Sequence, residues 1–89
     1  LVMGHSGCGA VTAALGKDPL PPLLEELVTP IRAALEPRDD LPSGIQHNAV
    51  YAAAQLSERS AVLQQAVAEG RLKIQPSYFD IASGAVTLL

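Results

Sequence analysis

The feature that most constrains this chain is a glycine-rich turn near its start, Gly4-His5-Ser6-Gly7-Cys8-Gly9. A short apolar run, Leu1-Val2-Met3, precedes it, and the stretch from Ala10 to Leu15 behind it is rich in helix formers. Apolar run, turn and helix-forming stretch read as strand, turn, helix. The pattern predicts a buried strand over residues 1–4 and a short helix over 8–16, ending near Gly16. In open α/β sheets, turns at the carboxyl ends of strands are where ligands bind and chemistry is placed. This turn holds one of two histidines and the only cysteine.

The rest of the chain supplies helices and two late extended pieces. Residues 17–22 (Lys-Asp-Pro-Leu-Pro-Pro) read as a linker, because a residue before proline is pushed out of the helical region. From Pro22, Leu23, Leu27, Ile31 and Leu35 recur every four residues as an amphipathic helical stripe, which Pro30 is expected to kink or split near Thr29. Residues 36–43 read as a turn-rich polar loop. Ile45, Ala49, Ala52, Leu56, Leu63 and Val67 then suggest one long helix over 44–69, stopped by Gly70. Residues 72–74 read as a strand, and 78–81 with 86–89 as a hairpin-like strand pair around Ser83-Gly84. The order β-α-α-α-β-β implies an α/β layer architecture.

Composition narrows the function classes. With 89 residues the chain is at most one domain, and a domain of this size buries only about 60–65% of its unfolded surface. A single cysteine forms no internal disulfide, and a lone Cys near a His points to metal or thiol chemistry in a reducing compartment. The net charge of −3 offers no basic footprint for nucleic acid or an anionic membrane. No apolar run is long enough to span a bilayer. The expectation is a soluble, cytoplasmic chain with apolar surface to spare. Because its first strand begins at residue 1, it is read as a fragment of a larger domain.

His5 and Cys8 lie close enough in sequence to share a metal such as zinc, which takes imidazole nitrogen and thiolate sulfur. Cys8 would start a helix, where exposed N–H groups favour the thiolate. On spacing alone, other readings stay open. His5 can be a hydrogen-bonded turn residue and Cys8 a small buried hydrophobe. Gly4-His5-Ser6-Gly7-Cys8 also approaches the G-x-S-x-G nucleophile elbow of α/β-hydrolases, with Ser6 as nucleophile, although Cys8 replaces the last glycine. Gly4, Gly7 and Gly9 could cradle a phosphate, but no lysine follows.

The segment Leu-Val-Met-Gly-His5-Ser-Gly-Cys8-Gly-Ala-Val closely resembles the second zinc-ligand segment of the β-class carbonic anhydrases. The likeness continues at Asn48-Ala-Val50, at Val67-Ala-Glu-Gly70-Arg-Leu-Lys-Ile74 and at Phe79-Asp80-Ile-Ala-Ser83-Gly84-Ala-Val86, leaving residues 17–43 undecided. The resemblance implies a zinc lyase that interconverts carbon dioxide and bicarbonate, on a mostly parallel sheet flanked by helices. In that family two cysteines and one histidine hold the metal, which lowers the pKa of a bound water to about 7. His5 and Cys8 match the histidine and the second cysteine, and Gly9 matches the glycine whose N–H lies near the substrate.

The chain also departs from the family. The other cysteine, with the Asp and Arg of a C-x-D-x-R motif, has no counterpart here, so no catalytic residue of that pair is present. Asp39 and Asp40 are expected to be solvated and His47 to sit on a helix face rather than to replace the missing ligand. Pro76 stands where the family usually has a glycine. The resemblance therefore implies weak or absent zinc and negligible carbon dioxide hydration by these residues alone. It also implies an interior place for strand 1–4, next to a strand that would carry the absent cysteine, and self-association into a homo-oligomer to hide that edge. The competing class is a non-catalytic remnant of the same fold used for oligomer contacts or metal binding. Relatives acting on other small heterocumulenes such as carbon disulfide are a further alternative.

Overall fold

A computed structural model describes residues 1–89 as an α/β unit. The elements run β1 (Val2–His5), α1 (Gly9–Leu15), α2 (Pro22–Ala34), α3 (Leu41–Arg59), α4 (Ala61–Ala68), β2 (Pro76–Phe79) and β3 (Val86–Leu88). The sheet order is β1-β2-β3. β1 and β2 are parallel, with Gly4 beside Tyr78 and His5 beside Phe79. β2 and β3 are antiparallel, with Tyr78 opposite Thr87, and make the expected hairpin-like pair. No helix is long and apolar enough to cross a membrane.

α3 is the organising helix, and the only one packed against the sheet. Small residues let it come close. A Cβ on Gly4 would stand 2.8 Å from Ile45 Cγ2 and 3.5 Å from Ala49 Cβ. At Gly44 a Cβ would meet Leu35 at 3.1 Å and Val11 at 3.4 Å. The core is correspondingly thin: Val11 and Ala14 of α1, Val28 of α2, Ile45, Ala49 and Ala53 of α3, and Ala66 of α4. Arg32 ties α2 to α1, its Nε donating to the Ala14 carbonyl at 3.2 Å while the guanidinium also pairs with Glu25.

Several expectations need correction. β1 is not a buried strand: its residues alternate half-buried and exposed, with Met3 46% exposed. Successive strand residues face opposite sides of a sheet, and α3 covers only the Gly4 side. Among these residues β1 is an edge strand and β2 the central one, the open edge expected where the neighbouring strand is absent. Pro30 does not split α2, which runs through it to Ala34. The burial stripe of α2 also differs, because Val28 is buried whereas Leu23 and Leu27 are 80% and 61% exposed.

The long helix starts earlier than expected and breaks once. Asp40 caps α3 by accepting from Ser43 N–H at 3.0 Å, while Ser43 Oγ accepts from Asp40 N–H at 3.2 Å. This reciprocal box satisfies amides that a helix start leaves without partners, so residues 41–43 are helical rather than loop. Ser60 leaves the helical region at φ −122°, ψ 110°, and its side chain accepts from Leu63 N–H to start α4. The break falls within the wide Leu56-to-Leu63 step of the apolar pattern. Residues 72–74 are not a strand; β2 begins instead at Pro76. A first strand position tolerates proline, and its carbonyl accepts from Leu89 N–H at 3.0 Å.

Candidate metal centre

The turn after β1 builds the site. Gly7 has φ +67°, a left-handed conformation that glycine adopts at little steric cost, and α1 begins two residues later. Cys8 sits at the helix boundary and makes no capping bond with its side chain. Its carbonyl accepts from Thr12 N–H at 3.0 Å and from Thr12 Oγ1 at 2.8 Å. The thiol is half-buried and unpaired. Gly9 follows as an exposed first-turn residue, and a Cβ there would meet nothing within 4 Å. Its N–H is one of the first-turn amides with no intrahelical acceptor.

His5 ends β1 and is exposed, with Nδ1 3.0 Å from the Ser6 carbonyl oxygen. A carbonyl only accepts, so Nδ1 carries the proton of the neutral ring and Nε2 keeps the lone pair. This is how a ligating histidine is usually held, with one nitrogen fixed by an acceptor and the other offered to metal. Imidazole nitrogen and thiolate sulfur suit zinc. The two donors thus fit as part of a zinc site.

Ser6 is engaged by the fold rather than by a base. Its Oγ accepts from Ile81 N–H at 2.9 Å, its own N–H donates to Phe79 O at 2.9 Å, and neither histidine bonds to its hydroxyl. No residue other than glycine takes a positive φ, so the strained elbow is absent as well. The turn that Ser6 grips is organised by Asp80, whose carboxylate accepts from Ser83 Oγ at 2.7 Å and Ala82 N–H at 3.3 Å. The Ser83 hydroxyl foremost, with lesser help from the Ala82 N–H and the Ser6 hydroxyl, holds the Asp80 carboxyl below its ordinary value. This anchoring left no mark in the local sequence, because Ser6 and Ile81 meet only once β1 pairs with β2.

No third metal-binding side chain of this chain gathers with His5 and Cys8. The one three-residue group of donor side chains is Glu36, Asp39 and His47, whose donor atoms lie within 4.8 Å of one another. Asp39 is not solvated as expected: its side chain is 5% exposed and accepts from His47 Nδ1 at 2.8 Å and from Glu36 N–H at 2.8 Å. The bond to Asp39 raises the His47 pKa above its ordinary value, against a lowering by burial. The same bond, then the Glu36 N–H, lowers that of Asp39. Asp40 is exposed, and the Ser43 hydroxyl and N–H lower its pKa. The Asp40-x-x-Ser43 box was readable from sequence as a helix start; the Asp39–His47 pair, spanning loop and helix, was not.

No cavity of the chain is lined by His5, Cys8 or Gly9. The largest, about 530 Å³, lies instead between α3, α4 and the segment leading into β2. These residues therefore present the donors on an open surface rather than inside a pocket.

Comparison with known proteins places this geometry. The sequence profile described as carbonic anhydrase matches residues 1–86. Among solved structures, one of two tetrameric β-carbonic anhydrases from the filamentous ascomycete Sordaria macrospora is similar, with a TM-score of 0.73 and 22% identity. The match covers 98% of this chain and 49% of that one, so this chain spans about half the length of that structure. A search of curated proteins gives no match.

Proposed function

Since the chain belongs to the carbonic anhydrase family and carries the β-class fold, we propose that the protein is a zinc lyase interconverting carbon dioxide and bicarbonate. His5 and Cys8 are two of the metal's protein ligands. The observation that carries this reading is the pairing, on one turn, of an imidazole with Nε2 free and Nδ1 engaged and an unpaired thiol.

Zinc bound there supplies Lewis acidity sufficient to ionise a water near neutral pH. This chain's residues do the holding and orienting. Ser6 O fixes the ring of His5, and Cys8 contributes the soft anionic donor. Gly9 offers a backbone N–H to a substrate oxygen, with no side chain to obstruct the approach. The Asp–Arg pair of the family has no counterpart in these residues, so proton handling and the third protein ligand must come from outside them.

Two measurements test the reading. Metal analysis and stopped-flow carbon dioxide hydration of the protein should show zinc-dependent activity that Cys8→Ser and His5→Ala both abolish; full activity in Cys8→Ser would refute it. The 89 residues by themselves should bind zinc weakly and hydrate carbon dioxide no faster than free zinc. The absence of a third donor near His5 and Cys8 favours a second reading for the isolated unit, a non-catalytic module that self-associates. Its exposed edge strand β1, with Met3 46% exposed, supports that reading. Light scattering showing a monomer at high concentration counts against it.

A further inference from the structure

Ser6 has three separate attachments, and together they form a path from the β2–β3 turn to the His5 ring. Its N–H donates to Phe79 O and its Oγ accepts from Ile81 N–H, each at 2.9 Å. Its carbonyl accepts from His5 Nδ1 at 3.0 Å. The first bond fixes the 5–6 peptide and the second the Ser6 side chain, so both hold the residue from which the carbonyl making the third extends. The far end of the path is itself braced. Asp80 N–H donates to Ala85 O at 2.9 Å, Gly84 N–H donates to Asp80 O at 2.7 Å, and Ser83 Oγ accepts from Ala85 N–H at 3.2 Å. Gly84 takes φ +75° to allow this closure. The turn over residues 80–85 is therefore a rigid anchor, lying 75 residues along the chain from the turn it holds.

We propose that Ser6 is a positioning residue for His5: its hydroxyl locks the metal turn to the Asp80-centred turn, and its carbonyl sets the tautomer and orientation of the imidazole. The proposal rests on the reading of His5 and Cys8 as zinc ligands. Without the hydroxyl, Ile81 N–H loses its partner, Ser6 is held only through the N–H of its 5–6 peptide, and the 6–7 peptide, whose carbonyl faces His5, gains freedom to turn about the Ser6 Cα–C bond. A ring that samples both tautomers offers Nε2 for only part of the time. Loss of such outer contacts typically weakens metal binding by about 10–100-fold.

The test uses the full chain as wild type, Ser6→Ala, Ser6→Thr and Cys8→Ser. Far-UV circular dichroism and unfolding midpoints confirm that each variant is folded. The first readout needs no metal: ¹⁵N shifts of the His5 ring should report the Nδ1–H tautomer in wild type and Ser6→Thr, and a mixture in Ser6→Ala. The second is cobalt affinity by equilibrium dialysis, with the thiolate-to-cobalt absorption band reporting Cys8 ligation in the variants that keep the thiol. It should fall about 10–100-fold in Ser6→Ala and recover in Ser6→Thr. A Ser6→Ala chain with a lowered unfolding midpoint, but with a single His5 tautomer and unchanged cobalt affinity, overturns the proposal by showing a purely structural serine. If wild type and Cys8→Ser bind cobalt equally, the zinc reading fails. The tautomer of His5 in Ser6→Ala then decides the Ser6 link separately, a mixture supporting it and a single form overturning it.

Discussion

The chain has two histidines, and the regions around them put the same side chain to opposite uses. At the end of β1, His5 is exposed, engages only a backbone carbonyl, and precedes an unpaired thiol by three residues. At the start of α3, His47 is bonded to a carboxylate that is itself almost wholly buried. Asp39 also satisfies Glu36 N–H, so the His47–Asp39 pair closes the loop before α3. The cluster around His47 contains more candidate metal donors than the β1 turn, but two of them, His47 and Asp39, are bonded to each other. On the proposed zinc reading, the count of ligand-type residues and the hydrogen-bond partners each group already has rank the two regions differently.

The strongest way to break this comparison is to remove one group from each side. Cys8→Ser should abolish bound zinc and catalysis in the protein while leaving the far-UV spectrum unchanged, because the Cys8 side chain caps nothing. His47→Ala should leave the metal content as it was. Metal loss in His47→Ala, with retention in Cys8→Ser, would reverse the assignment of the two regions.

Gly4 connects them mechanically. It precedes His5 and packs on Ile45, two residues before His47, with room for no methyl group: a Cβ would approach Ile45 Cγ2 to 2.8 Å and Ile45 O to 3.2 Å. Forcing a carbon into a packed contact costs about 1–3 kcal/mol. Gly4→Ala should lower the denaturation midpoint accordingly, and should weaken metal binding as well, since β1 must move away from α3 and carry His5 with it. An unchanged midpoint would mean that the β1–α3 contact is looser than this geometry requires. Gly9→Ala serves as the contrast, because a Cβ there has open space.

What was legible from sequence followed how local the cause was. The strand–turn–helix around His5 and Cys8 depends on neighbours a few residues apart, and it stands nearly where the pattern placed it. The resemblance to the β-class enzymes was carried by short segments of the same kind, and the match over residues 1–86 bears it out. Causes acting across the fold were not legible. The spacing of Leu23 and Leu27 marks an apolar face but does not say what covers it, and here both are exposed while Val28 fills the core. Pro30 lacks an N–H, yet α2 continues through it; packing against α1 and α3 outweighs a local preference. Ser60 divides what periodicity joined, because its capping bond to Leu63 starts a new helix. The grip of Ser6 on Ile81 requires strands from opposite ends of the chain.

The smallest expected effect sharpens the comparison through pH. Asp39 raises the pKa of His47 above its ordinary 6.5, so this part of the pair's stabilisation is complete below 6.5 and is lost as pH climbs through the raised value. The pKa of Asp39 lies below its ordinary 3.8, chiefly through the bond from His47. Its contribution is present above 3.8 and is lost as pH falls through the lowered value. The stability advantage of wild type over His47→Ala should therefore be widest between pH 3.8 and 6.5 and shrink on either side. The effect is modest because the His47 side chain is 39% exposed and solvent screens such pairs. Urea midpoints of the two proteins across pH measure it. An advantage that stays unchanged as pH rises well above 6.5 and falls well below 3.8 would show that His47 acts by packing alone, and would remove the charge pairing on which the contrast with His5 depends.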